Sequence, residues 1–256
     1  MIKWLEDAVF YEVYPQSFRD SNGDGIGDIP GITEKLEYIQ ELGCNALWIN
    51  PCFTSPFYDA GYDVEDYYSV APRYGTNEDL KKLFEAAHQR GMHVLLDLVP
   101  GHTAVTHPWF QESMKAEKNE YTDRYVWTDS LYKRMEDVKG IVSVLRGISP
   151  RPASCGVNCF STQPALNYGF ANITDAGWQQ PTDAPGPMAT REELKNIMRF
   201  WLTLGCDGFR VDMAGSLVKN DVDGKGTIAL WQDIRKFLDE EFPAAAMVSE
   251  WGEPDK

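Results

Sequence analysis

Three things are scarce in this chain, and each scarcity closes off a class of function. No apolar run approaches the ~18–20 residues that a bilayer-spanning helix requires, so nothing reads as a membrane span. The opening Met1-Ile2-Lys3-Trp4-Leu5-Glu6-Asp7 has no signal-type apolar core, which leads to the expectation of a cytoplasmic protein. Cysteine and histidine are sparse, at five and four in 256 residues. Cys44, Cys52, Cys155, Cys159 and Cys206 form an odd, scattered set. Only Cys155 and Cys159 are close, and no second Cys or His pair completes a zinc spacing, so reduced thiols are expected rather than zinc or a local disulfide. Positive charge is the third shortage: 24 Lys plus Arg stand against 39 Asp plus Glu, a net −15. Such a balance repels nucleic acid and anionic membranes, and it suits a neutral partner.

What is present is ordinary for a globular protein: 43% hydrophobic and 25% charged residues. Its order along the chain is more telling. Short apolar runs alternate with helical patterns. Ala8–Tyr14, Asn45–Asn50, Val94–Val99, Gly208–Asp212 and Met247–Glu250 read as strands. Ile32, Leu36, Ile39 and Leu42 recur at helical spacing, as do Leu80, Leu83, Phe84 and Ala87 behind a capping box at Thr76–Asp79. A second box, Thr190-x-x-Glu193, precedes Leu194, Ile197, Met198, Trp201 and Leu202. Leu230, Trp231, Ile234, Phe237 and Leu238 make the last helix face. Residues 101 to about 185 break the rhythm and are too long for a structureless loop, so a small inserted subdomain is expected. Strict alternation argues for a parallel α/β sheet. Periodicity alone leaves open whether that sheet is doubly wound or part of a barrel.

Two carboxylates, Asp212 and Glu250, end consecutive strands. Adjacent strands lie ~4.8 Å apart. That matches the ~5–5.5 Å between nucleophile and acid/base in a retaining glycosidase. Arg210, two residues before Asp212 on the same strand face, is expected to keep Asp212 ionised. Met247, Val248 and Trp251 around Glu250 are expected to desolvate it and raise its pKa toward that of a general acid. A second oxygen-rich segment, Asp20-Ser21-Asn22-Gly23-Asp24-Gly25-Ile26-Gly27-Asp28, places donors at alternate positions, as a hard cation prefers. Gly31 stands at the twelfth position, so this is not an EF-hand. An Asx-rich turn without metal is the alternative.

Five short motifs, in order from one end of the chain to the other, resemble those of the α-amylase family, glycoside hydrolase family 13. They are Asp59–Val64 with its Tyr62-Asp63 pair, Asp97–His102, Gln163–Asn167, Gly208–Asp212, and the strand ending at Glu250. The resemblance implies a (β/α)8 TIM barrel with an inserted domain B after strand three. Residues 1–100 would carry strands one to three, residues 101–187 domain B, and residues 188–256 strands four and five. It implies Asp212 as nucleophile and Glu250 as proton donor. Tyr62, Asp63, His102 and Arg210 would bind the glucosyl unit, with Asp97 as structural support for Arg210. The Asp20–Asp28 loop resembles the calcium or magnesium loop of the oligo-1,6-glucosidase branch. Its ligands would be Asp20, Asn22, Asp24, Asp28 and the carbonyl of Ile26. No organic cofactor is implied, and the substrate would be an α-linked oligosaccharide.

The departures are informative. Gly101 stands where the family commonly has an Asn before the histidine, which argues against a second calcium site. Met213 follows the nucleophile position where the 1,6-specific branch has Val, so linkage is left open with α-1,4 slightly favoured. The family's fourth motif, strands six to eight and the C-terminal β domain all lie beyond residue 256. The chain is therefore expected to be a piece of a longer enzyme, inactive alone. The alternatives are a transglucosidase or isomerase such as a trehalose synthase, and a non-catalytic glucosidase-like scaffold.

Overall fold

The computed structural model describes residues 2–250. In chain order the elements are a 3-10 helix (Lys3–Asp7), β1 (Phe10–Val13), α1 (Pro15–Phe18), α2 (Ile29–Glu34), α3 (Leu36–Glu41), β2 (Ala46–Ile49), β3 (Phe53–Thr54), β4 (Asp66–Val70), α4 (Asn77–His88), β5 (His93–Leu98), α5 (Pro108–Ser113), β6 (Ser143–Leu145), β7 (Cys155–Val157), α6 (Pro185–Leu204), β8 (Gly208–Val211), α7 (Lys225–Glu241) and β9 (Ala246–Ser249). The main sheet has five strands in the order β1-β2-β5-β8-β9, and every pair is parallel. Spatial order equals chain order. A doubly wound sheet reverses direction at a switch point, whereas a barrel adds each strand on the same side. The topology therefore decides what periodicity left open: this is part of a (β/α)8 barrel.

The strand interiors are apolar because both faces are covered. Val94, Leu95, Leu96 and Leu98 of β5 are all buried, as are Leu47 and Ile49 of β2. Helices α2, α4, α6 and α7 bring Ile32, Leu83, Met198, Trp201, Ile234 and Leu238 to the same core. The expected capping box forms at Thr76 and Asp79. The second expected box does not. Helix α6 starts five residues before Thr190, with Pro in its first turn, where a missing N–H costs nothing. Thr190 then lies inside the helix and bonds its hydroxyl back to the Gly186 carbonyl at 3.1 Å. The first helical face is also split, between α2 and α3 at Lys35.

Between β5 and α6 the chain makes the expected excursion. It holds α5, a β6–β7 antiparallel pair and a separate small core of Val126, Met135, Val138, Ile141, Ala165 and Phe170. The loop after β2 contains a short antiparallel pair, β3 with β4. All five cysteines are free thiols. Among the described residues no helix is long and apolar enough to cross a membrane.

Candidate active site

The parallel register sets the site. Asp97 on β5 pairs with Arg210 on β8, and Arg210 pairs with Val248 on β9. Two residues further on, at the carboxyl ends of β8 and β9, come Asp212 and Glu250. The ladder continues past the strands, because Asp212 N–H donates to Leu98 O and Glu250 N–H to Val211 O, both at 2.9 Å. Residues i and i+2 share a strand face, so Arg210 and Asp212 point the same way.

One guanidinium serves three carboxylates. Arg210 Nη1 lies 3.0 Å from Asp97 Oδ1 and 3.0 Å from Asp212 Oδ1, and Nη2 lies 3.1 Å from Glu250 Oε2. Trp48 covers the guanidinium, its ring centroid 4.8 Å from Cζ, and its indole N–H donates to Asp97 Oδ2 at 3.0 Å. The Met213 amide donates to Glu250 Oε2 at 3.0 Å, from a residue held at φ +44°, a left-handed conformation uncommon outside glycine.

This arrangement corrects the expected division of acidity. Burial first, then the charges of Asp97 and Glu250, push Asp212 up to about 7 despite Arg210. Burial likewise raises Asp97 to about 6, against the pull of Arg210. A single cation divided among three acids cannot hold all of them ionised once two lie out of water. Exposure is also reversed. The Glu250 side chain is 49% exposed and that of Asp212 only 11%. Glu250 follows an edge strand, and Val248 on that strand is itself exposed. Trp251, the aromatic neighbour invoked for Glu250, lies outside the described residues.

The residues expected to grip sugar fall into two groups. Tyr62 is half-buried at the cleft, its hydroxyl bonded to Asp97 Oδ2 at 3.1 Å and to Asn50 at 3.1 Å. Asp63 is a correction. It is fully buried, and its carboxylate accepts from the Ser55 hydroxyl and from the Tyr58 and Asp59 amides, so it folds the loop instead of facing the cleft. His102 is a second. At 2% exposure it accepts from Asn158 Nδ2 at 3.1 Å through Nδ1, and Nε2 meets Tyr62 O at 3.0 Å, so it backs the cleft wall. Arg210 directs Nη1 and Nη2 at carboxylates. In the same motif Asp59 is only part-buried; it accepts from Gln163 Nε2 at 2.6 Å and is raised chiefly by burial. Both residues lie inside the motifs Asp59–Val64 and Gln163–Asn167. Cys159 joins them: burial and the nearby Asp59 and Asp212 charges push its thiol up.

The Asp20–Asp28 loop folds as a chain of side-chain-to-amide turns. Asp20 accepts from the Asn22, Gly23 and Gly25 amides, Asn22 from Asp24, and Asp24 from Ile26. Gly25, at the sixth position, takes φ +91°, the sharp turn such loops need. Asp28 departs from the expected ligand set. It is 3% exposed and caps α2, accepting from Gly31 N–H and from both the amide and hydroxyl of Ser21. Among the described residues no three His, Cys, Asp or Glu side chains converge as a metal cluster. The loop's oxygens on Asp20, Asn22, Asp24 and the Ile26 carbonyl are chemically suited to calcium or magnesium, and Asp28 has its carboxylate engaged in capping α2.

Sheet order and strand-end acids together define the catalytic domain of a β/α-barrel glycoside hydrolase. The family model for the alpha-amylase catalytic domain matches residues 12–256, and the chain belongs to that family. It is 39% identical to the trehalose synthase/amylase TreS of Mycolicibacterium smegmatis, over 96% of this chain and 40% of that protein. It is 38% identical to an oligo-1,6-glucosidase of a Bacillus species, over 86% of this chain and 40% of the relative. The trehalulose synthase MutB superposes with a TM-score of 0.79 at 32% identity, covering 96% of this chain and 45% of MutB. The chain thus spans about 40% of the length of these curated relatives.

Proposed function

We propose that this chain is the catalytic-carboxylate portion of a retaining α-glucoside hydrolase acting on α-linked gluco-oligosaccharides. The observation that carries the reading is the single Arg210 guanidinium bridging Asp212 and Glu250 at the ends of adjacent parallel strands. In its ionised form Asp212 attacks the anomeric carbon while Glu250 delivers a proton to the leaving oxygen. Glu250 then takes a proton from water, which hydrolyses the glucosyl ester and frees Asp212. Arg210 offsets the charge of both acids, and Tyr62 and Asp59 border the sugar. The relatives named for trehalose and trehalulose synthesis support a second reading. In it a sugar hydroxyl replaces water in the second step, with the same residues. A structural calcium or magnesium in the Asp20–Ile26 loop, remote from the chemistry, is part of the proposal. Its support is the donor chemistry and the turn at Gly25.

The test is hydrolysis of p-nitrophenyl-α-glucoside by the 256-residue chain and by a form continued through the remaining barrel of the Bacillus relative. Turnover in the continued form, abolished by Asp212→Asn, is the expected result. Turnover that survives Asp212→Asn sinks the assignment of the nucleophile. Glucosyl transfer exceeding hydrolysis when glucose is added selects the second reading.

A further inference from the structure

Lys219 is fully buried, and no carboxylate lies within ion-pair distance of it among the described residues. Its Nζ donates to Ser216 O at 2.6 Å and to Asn158 Oδ1 at 3.4 Å. Ser216 belongs to the loop after β8, and Asn158 follows β7 in the inserted segment, so the ammonium joins the two. The main chain of Lys219 is fixed as well, with its N–H on Gly169 O and its carbonyl accepting from Ala171 N–H, both at 2.9 Å. An ammonium has only donors. It therefore requires the oxygen of the Asn158 amide to face it, which turns Nδ2 toward His102. Nδ2 is a donor, so His102 Nδ1 must be the bare, accepting nitrogen. The ring proton is left on Nε2, where it is donated to Tyr62 O at 3.0 Å. The Tyr62 hydroxyl in turn meets Asp97, which shares Arg210 with Asp212. Gly101 makes this possible, because a Cβ there would sit 2.5 Å from Asn158 Nδ2.

We propose that Lys219 is a positioning residue. Its buried ammonium orients Asn158, whose amide bonds the bare Nδ1 of His102 while the Tyr62 carbonyl takes the Nε2 proton, so the ring is clamped at both nitrogens and ties Tyr62 to the inserted segment. Burial lowers Lys219 to about 7, so the lock is charged below neutrality and released above it. Burial lowers His102 to about 4, with the Lys219 charge adding to the effect, so the ring stays neutral throughout. The other charged groups around this chain of contacts are Asp63, whose charge pulls His102 upward, and Lys139 and Asp221. Lys139 Nζ donates to the Asp221 carbonyl at 2.7 Å, and the Asp221 carboxylate caps the Gly226 and Thr227 amides.

The importance of Tyr62 for sugar rests on the glycosidase reading, but the lock is testable without turnover. The probe is nitrogen NMR of His102 in the 256-residue chain, labelled in histidine and lysine. At pH 6 the Nδ1 resonance is expected at its unprotonated position. In Asn158→Asp, whose side chain keeps an acceptor for Lys219 but loses the donor, Nδ1 faces a carboxylate while Tyr62 O still takes the Nε2 proton, so the ring is expected to gain a second proton, on Nδ1. Lys219→Met is expected to free Asn158 and shift the Nδ1 resonance toward that of an unbonded nitrogen, with the proton still on Nε2. In the unaltered chain, which needs no variant to fold, the Lys219 Nζ and His102 resonances are expected to titrate with one shared midpoint. A His102 Nδ1 resonance unchanged in a folded variant, or a Lys219 titration that His102 does not follow, overturns the proposal.

Discussion

The molecule gathers carboxylates in two places and treats them in opposite ways. At the strand ends, Asp97 and Asp212 are buried with Arg210 and rise to about 6 and 7. In the loop after β1, Asp20 is solvated and is lowered, chiefly by the amides of Gly25 and Gly23. Both segments are acidic and rich in short-range order, and sequence alone marks both as candidate sites. The difference is the solvent. A carboxylate out of water loses more from desolvation than a shared guanidinium returns, whereas an amide-bonded carboxylate in water is held ionised at little cost. The sheet thus holds its buried acids near the edge of protonation, and the loop holds its solvated acid ionised, the state that the proposed cation would need.

The hardest test of that contrast is to remove the shared cation. Arg210→Met leaves the two buried carboxyls without a neutralising cation and should destabilise the chain by about 3–5 kcal/mol at pH 7.5, read by urea unfolding. At pH 5 the acids take up protons and the loss should shrink to about half or less. An equal loss at both pH values would mean that Arg210 acts by packing against Trp48 and not by charge.

Next in size is Asp212→Asn. The folded carboxyl sits at about 7 against ~3.9 for an unfolded one. Between those values the folded state holds the proton and the unfolded state has released it. The native side chain's stabilising term is therefore complete below pH ~4 and is lost as pH rises to about 7. Asparagine resembles the protonated form and does not titrate. The variant should match the native chain near pH 4 and exceed it at pH 8 by about 2–4 kcal/mol. A native chain that is more stable than the variant at pH 8 would reverse the sign and leave Arg210 as the winning influence, as the sequence first suggested.

That reversal shows where sequence reading stopped. The strands, their order along the chain and the two strand-end acids were legible, because apolar alternation and residue spacing follow directly from local geometry. The motif resemblance turned an undecided α/β sheet into part of a barrel, and the observed strand order agrees. What could not be read was how one cation is divided. Arg210 beside Asp212 is visible in sequence, but Asp97 and Glu250 reach the same guanidinium only through the β5–β8–β9 register. The same holds for Asp63, whose motif suggested sugar while the folded loop spends its carboxylate on Ser55, Tyr58 and Asp59. The start of α6 was missed because Thr190-x-x-Glu193 resembles a cap. Pro185 and Pro187, residues that also suit a loop, are at home in a first helical turn.

The smallest effects belong to the loop, and they sharpen the comparison best. Gly25→Ala forces a Cβ onto φ +91° and should cost about 1–2 kcal/mol even without a cation. Asp20→Asn makes the chemical change already made at Asp212, in water instead of in the core. Asparagine keeps one oxygen for the Asn22 and Gly23 amides but turns an NH2 toward the Gly25 amide, so in chelator the melting temperature should fall slightly, and by the same amount at pH 5 and pH 8. The Asp20 carboxyl is lowered in the folded chain, so its contribution is already complete across that range and is lost only at stronger acid. With millimolar calcium or magnesium the native chain should melt higher and Asp20→Asn should not, since the lost negative charge is what holds a hard cation. One substitution type would then give a pH-dependent, cation-independent response at 212 and a pH-independent, cation-dependent response at 20. A native melting temperature indifferent to both ions would reduce the loop to a self-bonded turn, leaving the strand-end cluster as the chain's one site built on charge.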